Sequence, residues 1–190
     1  MNDLQTVFTR VSAWNAARYE QEYSNTLAVS LLREEYVEWL HSTTPVDKLD
    51  ALCDITYVAL GIVWKAKVHP MMFGVAFSNS LATVSLLVDS FELNPAYFIG
   101  SLIDVLEYEA DYPVTQCAAN VIALSLAQAL SMGLSENQFI EALLVVCDSN
   151  DSKSVKKVAA DIKANAGDKG AGFIPPEPRL LEILAGIEKF

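Results

Sequence analysis

The sequence predicts an all-α chain. Apolar residues recur at helical spacing over most of its 190 residues, turn residues fall at helix-length intervals, and sustained polar/apolar alternation is scarce. Residues 4–22 form the first expected helix, with Leu4, Val7, Phe8, Val11 and Trp14 on one stripe. The second runs over 25–41 and turns Leu27, Leu31, Leu32, Tyr36, Trp39 and Leu40 toward the core. STTPVD then breaks the chain: Pro45 disfavours helix at Thr44 and suits a first helical turn itself, so a third helix follows over 46–67.

His69-Pro70 marks the next boundary, before a helix over 71–92 that stops short of Asn94-Pro95. Residues 96–110 and 113–132 read as two more, with Gly133 as a C-terminal cap. Ser135 and Gln138 stand three apart, a capping-box spacing for a helix over 136–148. NAGDKGAGFIPPEP, residues 165–178, is an irregular arm by its Gly and Pro content, followed by a short amphipathic helix. The expected organisation is therefore a helical bundle over 1–152 holding an acidic site, and a basic, Gly/Pro-containing arm over 153–190.

Composition narrows the function classes. Hydrophobic residues make up 52% and charged residues 19%, which favours burial and self-association over disorder, and a homodimer is the default assembly. A net charge of −11 lacks the electrostatic footprint of a duplex-binding protein. Cys53, Cys117 and Cys147 lie far apart in apolar settings and offer neither a disulfide framework nor paired metal ligands, so a reducing, cytoplasmic location is expected. MNDLQTVFTRV has no basic n-region or apolar h-region of a secretory signal. The uncharged runs 68–88 and 112–135 raise the membrane question, but Ser78, Asn79, Ser80, Gln116, Asn120 and Gln128 interrupt them, and buried soluble helices are expected. No Lys or Arg occurs between Lys67 and Lys153; bases return at Lys153, Lys156, Lys157, Lys163, Lys169 and Arg179, either as a phosphate grip or as a solvated face.

The informative region is 31–61. Glu35 and Glu38 share one helix face with Glu34 beside them, and Asp50 and Asp54 share a face of the next helix. Antiparallel packing of the two helices makes four carboxylates converge, an arrangement that a divalent cation neutralises; oxygen-only ligands point to Mg²⁺ or Mn²⁺. A solvated acidic stripe is the competing reading, and the apolar flanks of Asp54 (Leu52, Cys53, Ile55, Tyr57, Val58) argue against it there. Asp50 has a second reading, as part of an N-terminal turn with Asp47 justified by the helix dipole.

These residues resemble the all-α nucleoside triphosphate pyrophosphohydrolases, a superfamily that includes MazG-type enzymes, dimeric dUTPases and phosphoribosyl-ATP pyrophosphohydrolases. Their pattern is an ExxE pair on one helix and an ExxD pair on the next. Glu35-Tyr36-Val37-Glu38 matches the first half. In the second, Ala51 stands three residues before Asp54; DALCDITYVALG is similar to the DALADxxYVALG variant of phage-type members, with Asp50 taking the acid's place, while Asp47-Lys48-Leu49-Asp50 is the alternative reading. SNDSK at 149–153 followed by GFIPPEP resembles the end of phage-type members.

The resemblance implies Mg²⁺-dependent cleavage of a nucleoside triphosphate to the monophosphate and pyrophosphate. It implies Glu35, Glu38, Asp50 and Asp54 as metal ligands, Glu34 as general base, Asn150 and Lys153 on the phosphates, and Asn15 with Arg18 from the first helix for substrate binding. Asn15, with one amide donor group and one acceptor, suits a pyrimidine edge, and Trp14 or Trp39 is a candidate for stacking. Residues 119–139 follow the pattern of 53–73 with Asn120 against Asp54, so the fold is either one bundle with look-alike helices or an internally duplicated pseudo-dimer. A non-catalytic helical nucleotide-binding or protein-interaction module is the alternative function.

Overall fold

The computed structural model describes residues 2–91, 94–109, 112–156 and 169–187. They form eight helices in chain order: α1 Asn2–Arg18, α2 Asn25–His41, α3 Pro45–Lys65, α4 Pro70–Phe91, α5 Pro95–Tyr108, α6 Val114–Ser131, α7 Glu136–Asp151 and α8 Glu177–Ala185. The boundaries follow local chemistry. Thr44 accepts from the Asp47 N–H with Pro45 in the first turn of α3, and Asn94 caps α5 ahead of Pro95 in the same way. Ser135 and Gln138 complete a reciprocal capping box on α7. Gly133 adopts φ 94°, and the Gly133 and Leu134 amides bond back to Leu130 O and Ala129 O, the paired closure that a left-handed residue permits after α6.

Most ends fall within two residues of expectation, and two differ by more. α1 stops at Arg18, since the chain must reverse before Ser24 caps α2 by accepting from the Leu27 N–H. α7 runs on to Asp151, so Ser149 and Asn150 are helical. Acids at a helix C-terminus oppose the dipole, but Arg10 donates to Asp148 Oδ1 at 2.8 Å and to Asp151 Oδ2 at 2.5 Å, and Arg179 pairs with Asp148 as well.

α3 is the central helix, packed by α1, α2, α6, α7 and α8. It contributes Leu49, Leu52, Ile55 and Leu60 to the core with no side-chain exposure, so nearly all of its circumference is covered. α2 lies on α3 and α5 on α6, while α3 meets α6 and α2 meets α5; α1 flanks the α3 side and α4 the α6 side. α5 comes close to α2 at Gly100, where an added Cβ would stand 2.7 Å from the Tyr36 ring. Leu40, expected inside, is 45% exposed, because α2 turns the Leu32–Trp39 side inward instead.

α4 and α6 are long and apolar enough to cross a membrane by length and composition alone. α6 is mostly buried among its neighbours, whereas α4 leaves Met71, Met72, Val75 and Leu86 exposed. Between these two helices Ser80 Oγ donates to Asn120 Oδ1 and Gln116 Nε2 donates to both, so three of the polar residues that interrupt the two apolar runs satisfy one another. The C-terminal region is not wholly an arm: α8 returns to pack on α3 and α7 and buries Leu180 and Ile183. Of the bases expected there, Lys157 and Lys163 lie outside the described residues.

Candidate functional site

A pocket of about 130 Å³ opens between α1, α2, α3 and the end of α7. Glu35 on α2 and Asp54 on α3 line one end, together with Asn150 and Lys153. Tyr23 and Ser24 at the start of α2 and Lys65 at the end of α3 line the other. This pairing of ends means that α2 and α3 run antiparallel along the pocket, and at 1.5 Å per residue Asp54 and Lys65 are about 16 Å apart along the α3 axis. Trp14, Tyr19 and Tyr57 form an aromatic wall: Trp14 meets Tyr57 edge-on at 5.8 Å and Tyr19 at 6.3 Å. One face of α3 thus carries Asp50, Asp54, Tyr57, Gly61 and Lys65 in order, an acid end, a phenol, a glycine and an ammonium.

The acid end is under electrostatic tension. Burial pushes the Asp50 carboxyl up, and the charges of Asp54, Glu177 and Glu38 push it further, with Lys153 opposing. Asp54 is raised for the same first reason, then by Glu35, again against Lys153. Asp50 Oδ1 is buried with no hydrogen bond. Among the described residues no three Asp, Glu, His or Cys side chains gather tightly enough to hold one ion. The donor chemistry nonetheless suits a hard divalent cation: carboxylates only, in pairs on facing helices, with one orphaned buried oxygen. Lys153 is fixed by donating from Nζ to Asn150 Oδ1 at 2.8 Å, and burial lowers its ammonium despite the nearby acids.

The structure brings Asn15, Glu35, Asp54, Asn150 and Lys153 into one pocket lining and sets Asp50 and Glu38 within electrostatic reach of Asp54. Glu34 is exposed on α2 and is not in that lining; Glu38 is also exposed and borders a shallow recess with His41 and Asp47. Arg18 is 4% exposed and is also outside the lining. Its guanidinium lies 4.1 Å from the Trp14 ring centroid and donates to Lys153 O at 3.0 Å and Ser154 O at 3.3 Å, so it braces the backbone that carries Lys153. Trp39 packs between Tyr36 and Tyr97 in the core, leaving Trp14 as the tryptophan at the pocket.

Asn15 is buried, donates to Val11 O at 2.8 Å, and lies against Gly61, where a Cβ would come within 3.2 Å of its Nδ2. One N–H and Oδ1 of the amide are left to the pocket. Sequence reasoning missed Tyr57, Lys65 and Glu177. Tyr57 is 7% exposed and its hydroxyl is buried without a hydrogen-bond partner. The signal for Tyr57 and Lys65 was present, since both continue the helical stripe that starts at Asp50 and Asp54; Glu177 is more than a hundred residues away and no local pattern reaches it.

No known protein family, curated protein or solved structure matches the chain.

Proposed function

We propose that this chain is a divalent-cation-dependent nucleoside triphosphate pyrophosphohydrolase, cleaving a (deoxy)nucleoside triphosphate to the monophosphate and pyrophosphate. The observation that carries the reading is the polarity of the pocket along α3: carboxylates and Lys153 at one end, an aromatic wall with Asn15 and Gly61 behind it. A nucleotide has the same polarity, with its charge at one end and a flat ring at the other. Glu35, Glu38, Asp50 and Asp54 are the residues that would hold Mg²⁺ or Mn²⁺, which when bound polarises phosphate oxygens and acidifies water.

The chain's own part is to orient and neutralise. Lys153, braced through Arg18 and Asn150, offsets phosphate charge. Water oxygen attacks the α-phosphorus, the bond from it to the α–β bridging oxygen breaks, and pyrophosphate leaves with that oxygen. Glu35 and Asp54 reach the pocket but are committed to the cation, so the water's proton passes to Glu34, which would have to turn inward from the exposed side of α2. The test is pyrophosphate release from the eight common nucleoside triphosphates with Mg²⁺. Asp54→Ala should abolish release and keep the helical circular-dichroism signal; full activity in that variant removes the assignment.

That no three carboxylates gather among the described residues as the side chains stand favours one second reading, a helical module that binds nucleotide without hydrolysing it. A rise in melting temperature with nucleotide but no turnover would select it. In either case the exposed apolar residues of α4, Met71, Met72, Val75 and Leu86, are where we place self-association into a homodimer.

A further inference from the structure

We propose that a second pocket, between α1, α4, α6 and α7, binds a compact apolar amine, its ring body held inside and its ammonium at an acidic mouth. This pocket shares no lining residue with the one described above, and the inference stands independently of the nucleotide reading.

Exposure divides the lining in two. Phe8, Phe73, Phe77, Ile122, Phe139 and Leu143 are buried and wholly apolar. Phe73 stacks on Phe8 and on Phe77, with 6.0 Å between ring centroids in each pair. The exposed lining residues are Asp3, Gln5, Pro70, Glu136 and Asn137, all from the first turns of α1, α4 and α7. Polar groups therefore gather at the solvent mouth over a hydrocarbon interior, the plan of a small-molecule site. Its volume is about 360 Å³, and since an apolar cavity of roughly 150 Å³ accommodates benzene, there is room here for a fused two-ring body.

Gly74 keeps that space open. It lines the pocket inside α4, and a Cβ there would meet nothing within 4 Å. Glycine costs a helix interior about 0.5–1 kcal/mol relative to alanine, and a larger side chain would also recover packing contacts, so the space is held open against local stability.

Charge at the mouth selects the ligand's polar end. Asp3 and Glu136 are acids of the first turns of α1 and α7, where the helix dipoles favour them. Each helix N-terminus supplies only about half an elementary charge, so even with α4 counted the two carboxylates outweigh the three ends. No Lys, Arg or His stands among the described lining residues. Arg10, farther along α1, is committed to Asp148 and Asp151. An ammonium at the mouth is attracted and a carboxylate or phosphate is repelled, while the aromatic interior takes the apolar body.

The experiment titrates the whole chain, by calorimetry at low salt, with three probes of nearly equal shape: 1-naphthylmethylamine, 1-naphthylmethanol and 1-naphthoate. The amine should bind about tenfold or more tightly than the carboxylate, with the alcohol between them, and added salt should narrow the range. Gly74→Leu should abolish binding of all three and keep the helical circular-dichroism signal. The exposed double substitution Asp3→Asn with Glu136→Gln should bring the amine to the affinity of the alcohol and leave the alcohol unchanged. Asp54→Asn, in the other pocket, should leave amine binding as it is. No binding of the amine to the parent protein, or a carboxylate that binds as tightly, overturns the proposal. Undiminished binding in Gly74→Leu, an unchanged ranking in the double variant, or loss of amine binding in Asp54→Asn would each place the ligand elsewhere and overturn it too.

Discussion

Gly61→Ala separates the stability of α3 from the use of the pocket it lines. Gly61 lies inside a 21-residue helix, where alanine is favoured by about 1 kcal/mol. Against that gain, the new Cβ would stand 3.2 Å from Asn15 Nδ2, closer than a relaxed contact by a few tenths of an ångström. Asn15 cannot swing away freely, because its Nδ2 donates to Val11 O, a bond worth about 1 kcal/mol net. The two effects nearly cancel, so thermal unfolding should shift by no more than about 4 °C. Ligand binding has no such compensation: the methyl fills the floor beside the amide. The nucleotide that most raises the melting temperature of the parent protein should bind the variant about tenfold more weakly, equivalent to roughly 1.4 kcal/mol. Unchanged affinity measured by calorimetry would show that the floor formed by Asn15 and Gly61 does not meet the ligand. A loss of stability above about 2 kcal/mol would show that α1 and α3 are packed too tightly at this point for the reasoning to hold.

Two further predictions concern the scaffold. Gly100→Ala should destabilise the fold by about 1–3 kcal/mol in chemical denaturation despite the better helix former, because its Cβ would meet the Tyr36 ring at 2.7 Å; a stabilised variant would show that Tyr36 moves aside. Asp148 is pushed up by burial, but the hydrogen bonds from Arg179 and Arg10 outweigh that and hold its carboxyl below the usual range. Its contribution is therefore present above the unfolded-state value of about 4 and lost as pH falls through the lower folded value. Asp148→Asn should melt below the parent at neutral pH and converge with it in strong acid, and parallel melting curves at all pH values would refute the ion-pair account.

The helices and their ends were legible in the sequence because they rest on local physics. Pro45, Pro95, Gly133 and the Ser135/Gln138 box act within a few residues of their own positions, and each performs in the structure as its chemistry requires. The gathering of Glu35 with Asp54 was legible for the same reason, since spacing puts each acid on a definite face and a short connection forces α2 back along α3. Rotation of each helix about its axis was not legible, because it is settled by partners distant in sequence. That rotation leaves Glu34 and Leu40 exposed while Glu35 faces the pocket. Long-range contact likewise decides Arg18: its fork is spent on the carbonyls of Lys153 and Ser154, more than 130 residues away, so a residue that looked available for substrate became a brace. Lys65 shows the same division. Its place on the α3 stripe is written in the sequence, but only the Tyr19 ring brought against it from the end of α1, and the walls contributed by α2, turn a last-turn lysine into the buried end of a pocket.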